Sequence, residues 1–242
     1  MSLIPANDQK LQEIVAVPAP TTIDDVIQRM ERIDQLLPND DGLKWFNRLY
    51  LFVTNDVKQR HSTEVWKDAP WLMRLDVLFA QLYFTAITDA VGQSNAVPKS
   101  WQALFESRQQ KGIDRIQFAL AGMNAHINHD LALALMQVDG EFHRSPGHSS
   151  PEHDDYERVN GLLEEVFPNA LQFLATGILG LVAESTGKIG QLLAIWNVRA
   201  ARDLAWDFSD HLQHLPGFSR SFALSMQDKV TGALGRSLLR VI

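Results

Sequence analysis

One helical segment is apolar nearly all round, yet it carries a dense polar block. From Phe118 to Met136 the only strongly polar residues lie in Asn124-Ala125-His126-Ile127-Asn128-His129-Asp130. Amphipathic helices keep such residues on one wet face, and this stretch has none. At about 100° per residue from Phe118, His129 falls near ~20°, His126 near ~80° and Asp130 near ~120°. Gln117, Asn124 and Asn128 fall near ~260°, ~240° and ~280°. Two polar stripes therefore run along roughly opposite sides of a helix whose other directions are apolar. An unpaired buried polar group costs on the order of 1–3 kcal/mol. Five such groups within seven residues require a polar network, a bound ion or a ligand.

The rest of the chain sets the frame for that helix. Its 242 residues with 45% hydrophobic content fit one large globular domain. A net charge of −7 argues against non-specific nucleic-acid binding, which needs a basic surface. The absence of cysteine rules out disulfides, a thiolate nucleophile and a sulfur-ligated zinc site. The first residues, Met1 to Asp8, show neither the charged nor the apolar region of a secretory leader. The longest apolar stretch, from Ala170 to Ala183, is too short to span a bilayer. The expectation is a cytoplasmic protein with no membrane span.

Helical periodicity dominates the remainder. Residues 1–20, with Pro5, Pro18 and Pro20, read as an irregular arm, and residues 21–242 as a single helical domain. Thr21-Thr22 before Asp24-Asp25 starts a helix that runs to about Leu37. Pro38-Asn39-Asp40-Asp41-Gly42 is a turn. Helices follow at about 42–60, from Asp68-Ala69-Pro70 to Val91, and from Pro98 to near Gly112. The central helix covers about 112–138, and residues 139–151 form the longest loop. Ser150-Pro151 opens a helix to about Phe167. Pro168 begins another to near Gly187, and two more cover about 188–214 and 217–240. With no strand pattern, repeat or linker, the prediction is an all-α bundle of eight or nine helices.

Further acids look inward. On the third helix Asp76 shares a side with Leu72, Phe79 and Tyr83, away from Arg74, Gln81, Thr85 and Asp89. A carboxylate there needs a partner or a metal; a structural ion pair serves as well as a functional role. Asp155 aligns with Val159, Leu162 and Val166, but it also lies in a first helical turn, where acids favour the dipole. Asn160 is a weaker inward candidate. Asp203 and Asp207 share an arc with Arg199, His211 and His214 that reads as a solvated face, partly covered by Trp196 and Trp206. His143, His148 and His153 lie in or beside the 139–155 loop, a solvated segment or a lid over the site.

His126 and His129, three residues apart, would share a helical face and could bind one divalent metal. Asp130 would be a third ligand or an orienting partner, and Asp76 or Asp155 could complete the shell. Nitrogen and oxygen donors without sulfur suit zinc, iron or manganese. The competing reading is a metal-free His/Asn/Asp network that holds helices in register. Other metal signatures fail. No histidine follows a glutamate by three residues, His-Glu-x-x-His is absent, and there is no phosphate-binding glycine loop or nucleophile elbow. His129-Asp130 and His153-Asp154 match the dipeptide of the HD-type phosphohydrolases, without that family's continuation.

The segments Trp45–Tyr50, Leu75–Phe84, Gly122–Leu131 and Asp155–Asn160 resemble a bacterial family known only as a domain of unknown function. The resemblance spans about residues 40–210, and Asn-Ala-His-Ile-Asn-His-Asp-Leu is its most specific element. It implies a soluble helical domain and brings no activity, cofactor or catalytic residue.

The expectation is thus a small-molecule enzyme with a buried His/Asp/Asn site and a divalent metal, hydrolytic or oxygen-using, with Asp76 and Asp130 catalytic. The alternatives are a metal-free binding protein, its cavity lined by Tyr83, Trp45, Asn124 and Asn128, or a polar core network in an interaction protein.

Overall fold

The computed structural model describes residues 6–61, 63–176 and 197–240. Among these every regular element is helical. The helices are α1 (Ala6–Val15), α2 (Ile23–Leu36), α3 (Gly42–His61), α4 (Ala69–Val91) and α5 (Lys99–Ser107). They continue with α6 (Arg115–Ala125), α7 (Leu131–Phe142), α8 (Pro151–Thr176), α9 (Val198–His214) and α10 (Gly217–Leu238). A π-helical turn, His126–Asp130, joins α6 to α7 without a break.

Local chemistry explains the helix starts. The Thr22 hydroxyl accepts the Asp25 N–H while the Asp25 carboxylate accepts the Thr22 N–H, a reciprocal cap on α2. Asp68 accepts the Trp71 N–H at the start of α4, with Pro70 in the first turn.

One core runs through the bundle, built from Met30, Phe46, Trp71, Leu78, Trp101, Leu120 and their neighbours. The α6–π–α7 rod is its axis. Every residue from Ile116 to Ala125 is buried. α3 packs on α6, α4 and α9 pack on α7, and α10 packs on α5 and α6. None of the described helices is long and apolar enough to cross a membrane.

Two sequence expectations need correction. The irregular arm is helical over Ala6–Val15, because Leu11, Ile14 and Val15 share a face that the core buries. Its prolines, Pro5 and Pro18, lie outside that helix. Nor does Pro168 begin a new helix, since α8 runs through it. Pro168 is exposed, so the carbonyl it leaves unbonded faces water. Val166, Phe167 and Ala170 meanwhile pin both sides of it to the core. The helix expected at 188–214 is described from Val198 onward, with Asn197 as its cap; its first residues, and those expected in helix beyond Thr176, lie outside the described residues.

Candidate functional site

The site is built around the π turn. The Leu131 N–H bonds to the His126 carbonyl, five residues back. A π turn holds more residues than an α turn. Four residues still make nearly one revolution there, so His126 and Asp130 stay on one side. Three residues fall well short of it, so His129 swings away from His126. The α-helical wheel had placed the two imidazoles together; the wider turn separates them.

His126 is fully buried. Its Nδ1 lies 2.9 Å from Asp130 Oδ2, and the Trp101 indole N–H donates to that same oxygen at 2.9 Å. Around the imidazole stands an aromatic cage. Phe79 stacks on it at 3.5 Å between centroids. Tyr50 and Phe46 meet it edge-on at 4.6 and 5.7 Å, and Trp101 and Tyr83 complete the ring. Burial, reinforced by the positive charge of Arg202, holds His126 well below its ordinary value. Burial pushes the Asp130 carboxyl up to about 7, against the opposing pull of His129 and the Trp101 N–H.

His126 Nε2 is buried and has no hydrogen-bond partner among the described residues. His126 is among the residues that line a cleft between α2, α3, α4, α6, α8, α9 and the π turn. That cleft leaves about 60 Å³ for the centres of water-sized molecules and is partly open to solvent. Its walls are mainly apolar, with Val26, Val53, Met123 and Val159, and its polar groups include Asp76, Tyr50 and Arg202. The Arg202 guanidinium bonds to the Asn160 amide oxygen and lies over the Tyr156 ring. Residues 139–155 contribute nothing to this wall. That segment is instead tied down by Arg144, which bridges Asp68 and Glu152.

The second polar stripe serves another purpose. Asn128 donates to Asn124 Oδ1, and Asn124 donates to the Thr231 carbonyl of α10. His129 Nδ1 lies 3.0 Å from Gln227 Oε1, while the Gln227 amide donates to the Asn128 carbonyl in the π turn. Gln117 donates to the Leu238 and Arg240 carbonyls at the end of α10. This stripe docks α10.

The remaining candidates disperse. Asp155 accepts the N–H groups of Lys67 and Asp68, so it fastens the loop before α4. The Tyr83 hydroxyl donates to Asn47, and Trp45 donates to the Asn39 carbonyl while lying beneath Arg115. Neither Tyr83, Trp45, Asn124 nor Asn128 belongs to the cleft wall. Asp203 accepts from Asn160, and Asp207 pairs with exposed His148. Among the described residues no group of three or more His, Asp or Glu side chains converges well enough to hold a metal ion.

Sequence reasoning passed over Trp101, Arg202 and Asp139. Asp139 repeats the Trp101–Asp130 arrangement one helix section away. The Trp71 indole N–H and the Gln213 amide both donate to it, and burial against those donors pushes it up to about 6. Arg202 did carry a signal, because the buried positions of α9, Val198, Arg202, Ala205, Trp206, Ser209 and Leu212, follow helical spacing. Trp101 lies in a short helix and had none.

The fold and the site together define an all-helical domain organised around a buried His–Asp pair at a π turn. The chain belongs to DUF5995, a family of unknown function whose model matches residues 23–241. That match extends beyond the segments that carried the resemblance. No curated protein and no solved structure matches the chain.

Proposed function

We propose that this domain is a small-molecule enzyme in which the His126–Asp130 pair transfers a proton to or from a compound lodged in the adjacent cleft. The observation that carries the reading is His126 Nε2, a buried nitrogen without a partner among the described residues, in a residue that lines an apolar cleft. Mainly apolar walls with a few polar groups are the lining of small-molecule sites, and at about 60 Å³ this cleft admits only a compound of a few heavy atoms, or the end of a longer one. Asp130 sets what Nε2 can do. Once Asp130 is ionised, Nδ1–H donates to it and Nε2 presents a lone pair. When Asp130 is protonated, its O–H donates to Nδ1 and Nε2 carries the hydrogen. The imidazole stays neutral in both forms, and the pair turns from hydrogen-bond donor to proton acceptor near pH 7. Asp76 and Arg202 supply the polar contacts that orient the compound.

A divalent ion on Nε2 (zinc, iron or manganese) is the second reading. It is supported by Asp130 behind Nδ1, the placement that orients metal-bound imidazoles. Asp76, on the same cleft, would be the second donor.

Thermal-shift screening of small apolar acids, esters and amides at pH 8 tests the proposal, with each divalent ion screened alongside. Compounds that enter the cleft raise the melting temperature of the unaltered chain. They lose that effect in Thr54→Trp, which fills the rim, and in His126→Gln. Hits that persist in both folded variants, or no hits at all, would sink the proposal. Stabilisation by an ion alone, abolished by His126→Gln, selects the second reading.

A further inference from the structure

Arg202 brings a buried positive charge to the cleft. It is only 5% exposed, and a buried guanidinium is costly unless its charge and its N–H groups are met. Only part of it is met. Nε donates to the Asn160 amide oxygen, and the guanidinium carbon lies 4.2 Å from the centre of the Tyr156 ring. Among the described residues no carboxylate forms an ion pair with it, and neither Nη group has a hydrogen-bond partner. Arg202 lines the cleft, so those donors are what it offers to a compound there.

Its neighbours hold the guanidinium in that pose. The Tyr156 hydroxyl donates to the Arg202 carbonyl, which fixes the backbone beneath the stacked side chain. The Asn160 amide nitrogen donates to Glu157 and Asp203, which turns the amide oxygen toward Nε. A guanidinium anchored through Nε and one face keeps its Nη edge for a ligand. The parallel N–H groups of that edge match the two oxygens of a carboxylate. A fork already ordered loses little freedom on binding.

Charge and space narrow the choice of ligand. The carboxylate on the same wall is Asp76. Burial first and Asp76 next push the Tyr50 hydroxyl well up, whereas burial first and Arg202 next hold His126 down. The negative charge is thus felt at Tyr50 and the positive one at the imidazole. A single anionic group settles at Arg202, while a second one in so small a space would meet Asp76. Val26, Val53 and Val159 bound the remaining volume, which suits an alkyl chain.

We propose that the compound lodged in the cleft is an aliphatic monocarboxylate, its two oxygens bound by the Arg202 Nη groups and its chain by the valine walls. The proposal rests on the reading of this cleft as a small-molecule site and names the class of molecule. Arg202 binds the anion, and His126 is the group that moves a proton. A free short acid and the head of a longer one share this chemistry.

Saturation-transfer NMR of the full chain at neutral pH tests this, with sodium butanoate, sodium octanoate, disodium succinate and butanamide as probes at matched ionic strength. Butanoate is expected to bind about ten- to a hundredfold more tightly than butanamide, the worth of hydrogen bonds to a charged group, and succinate not to bind. Arg202→Met brings butanoate down to the level of butanamide, and Arg202→Lys restores part of the difference. If Arg202→Met fails to fold, butanoate against butanamide on the unaltered chain decides. Octanoate that binds more tightly than butanoate, and loses its advantage in Arg202→Lys, upholds the proposal and assigns the carboxylate to a longer acid. Butanamide that binds as tightly as butanoate, with both lost in Thr54→Trp, overturns the proposal and leaves the cleft a small-molecule site. Succinate that matches butanoate overturns it as well. If no probe binds in a way that Thr54→Trp abolishes, this proposal and the reading beneath it fall together.

Discussion

The Phe79 ring lies face to face with the His126 imidazole, with 3.5 Å between centroids and 6° between planes. The contact is close and dry, and it helps keep the ring neutral. Its partner Asp130 is displaced the opposite way, toward holding its proton. A carboxyl raised in the folded state adds stability in acid and loses it as pH climbs from about 4 to about 7. An imidazole lowered in the folded state loses stability as pH falls below its ordinary 6.5. In the intact pair these trends oppose each other, so stability changes less with pH than either group alone would make it. Asp130→Asn leaves the histidine trend alone, so stability falls with acid by up to about 1.4 kcal/mol per pH unit. His126→Gln leaves the carboxyl trend, with the opposite slope. Urea melts between pH 4 and 7, read as differences from the unaltered chain so that Asp139 cancels, check both signs. Parallel slopes in the two variants would refute the coupling.

Trp101 holds the same carboxylate from the other side. Trp101→Phe keeps the ring packing against Tyr83 and Phe46 and removes one N–H. The expected loss is about 1–3 kcal/mol, because a buried acceptor loses its donor. The Asp130 titration moves further up, since that N–H favours the ionised form. Carbon-detected NMR of the carboxyl resonance measures the shift, and a downward movement would contradict the geometry.

Asp155 is a fastening point. Its two oxygens take the Lys67 and Asp68 N–H groups at 3.0 and 2.7 Å. Asp155→Asn keeps the size but offers one acceptor oxygen in place of two. A loss of about 1–2 kcal/mol is expected, comparable to a helix cap. Amide exchange should quicken at residues 67–71, with His126 undisturbed. A chemical-shift change confined to His126 would place Asp155 in the site after all.

Gly122 tests the cage itself. A Cβ there would run into the Phe46 ring, and Phe46 in turn supports His126, Tyr83 and Trp101. Gly122→Ala should cost about 1–3 kcal/mol by overpacking, despite alanine's better helix propensity. Calorimetry reads the outcome, and a rise in melting temperature would mean that Phe46 yields without cost.

The sequence made the buried rod and its two polar stripes visible because helical period is a local property. It also brought His126 and Asp130 together, since spacings of four survive either kind of turn. It misjudged His129, whose direction depends on a widened turn that no residue type announces. It could not find Trp101, because what selects that indole is the Asp130 oxygen, 29 residues away in the chain. Asp76 illustrates both sides. Its inward bias was readable from the apolar residues around it, whereas the company it keeps on the cleft, Arg202 and Tyr50, came only from tertiary packing.

The π turn carries a surplus residue, and its widening absorbs that residue before α7 begins. Five residues there turn the backbone about as far as four do in an ordinary helix. Removing Ile127 would therefore restore the ordinary helix while Leu131–Phe142 keeps its orientation, with Asp139 still held by Trp71 and Gln213. The damage would stay inside the turn, where His126 and Asp130 would stand three residues apart and lose the alignment that a spacing of four gives them.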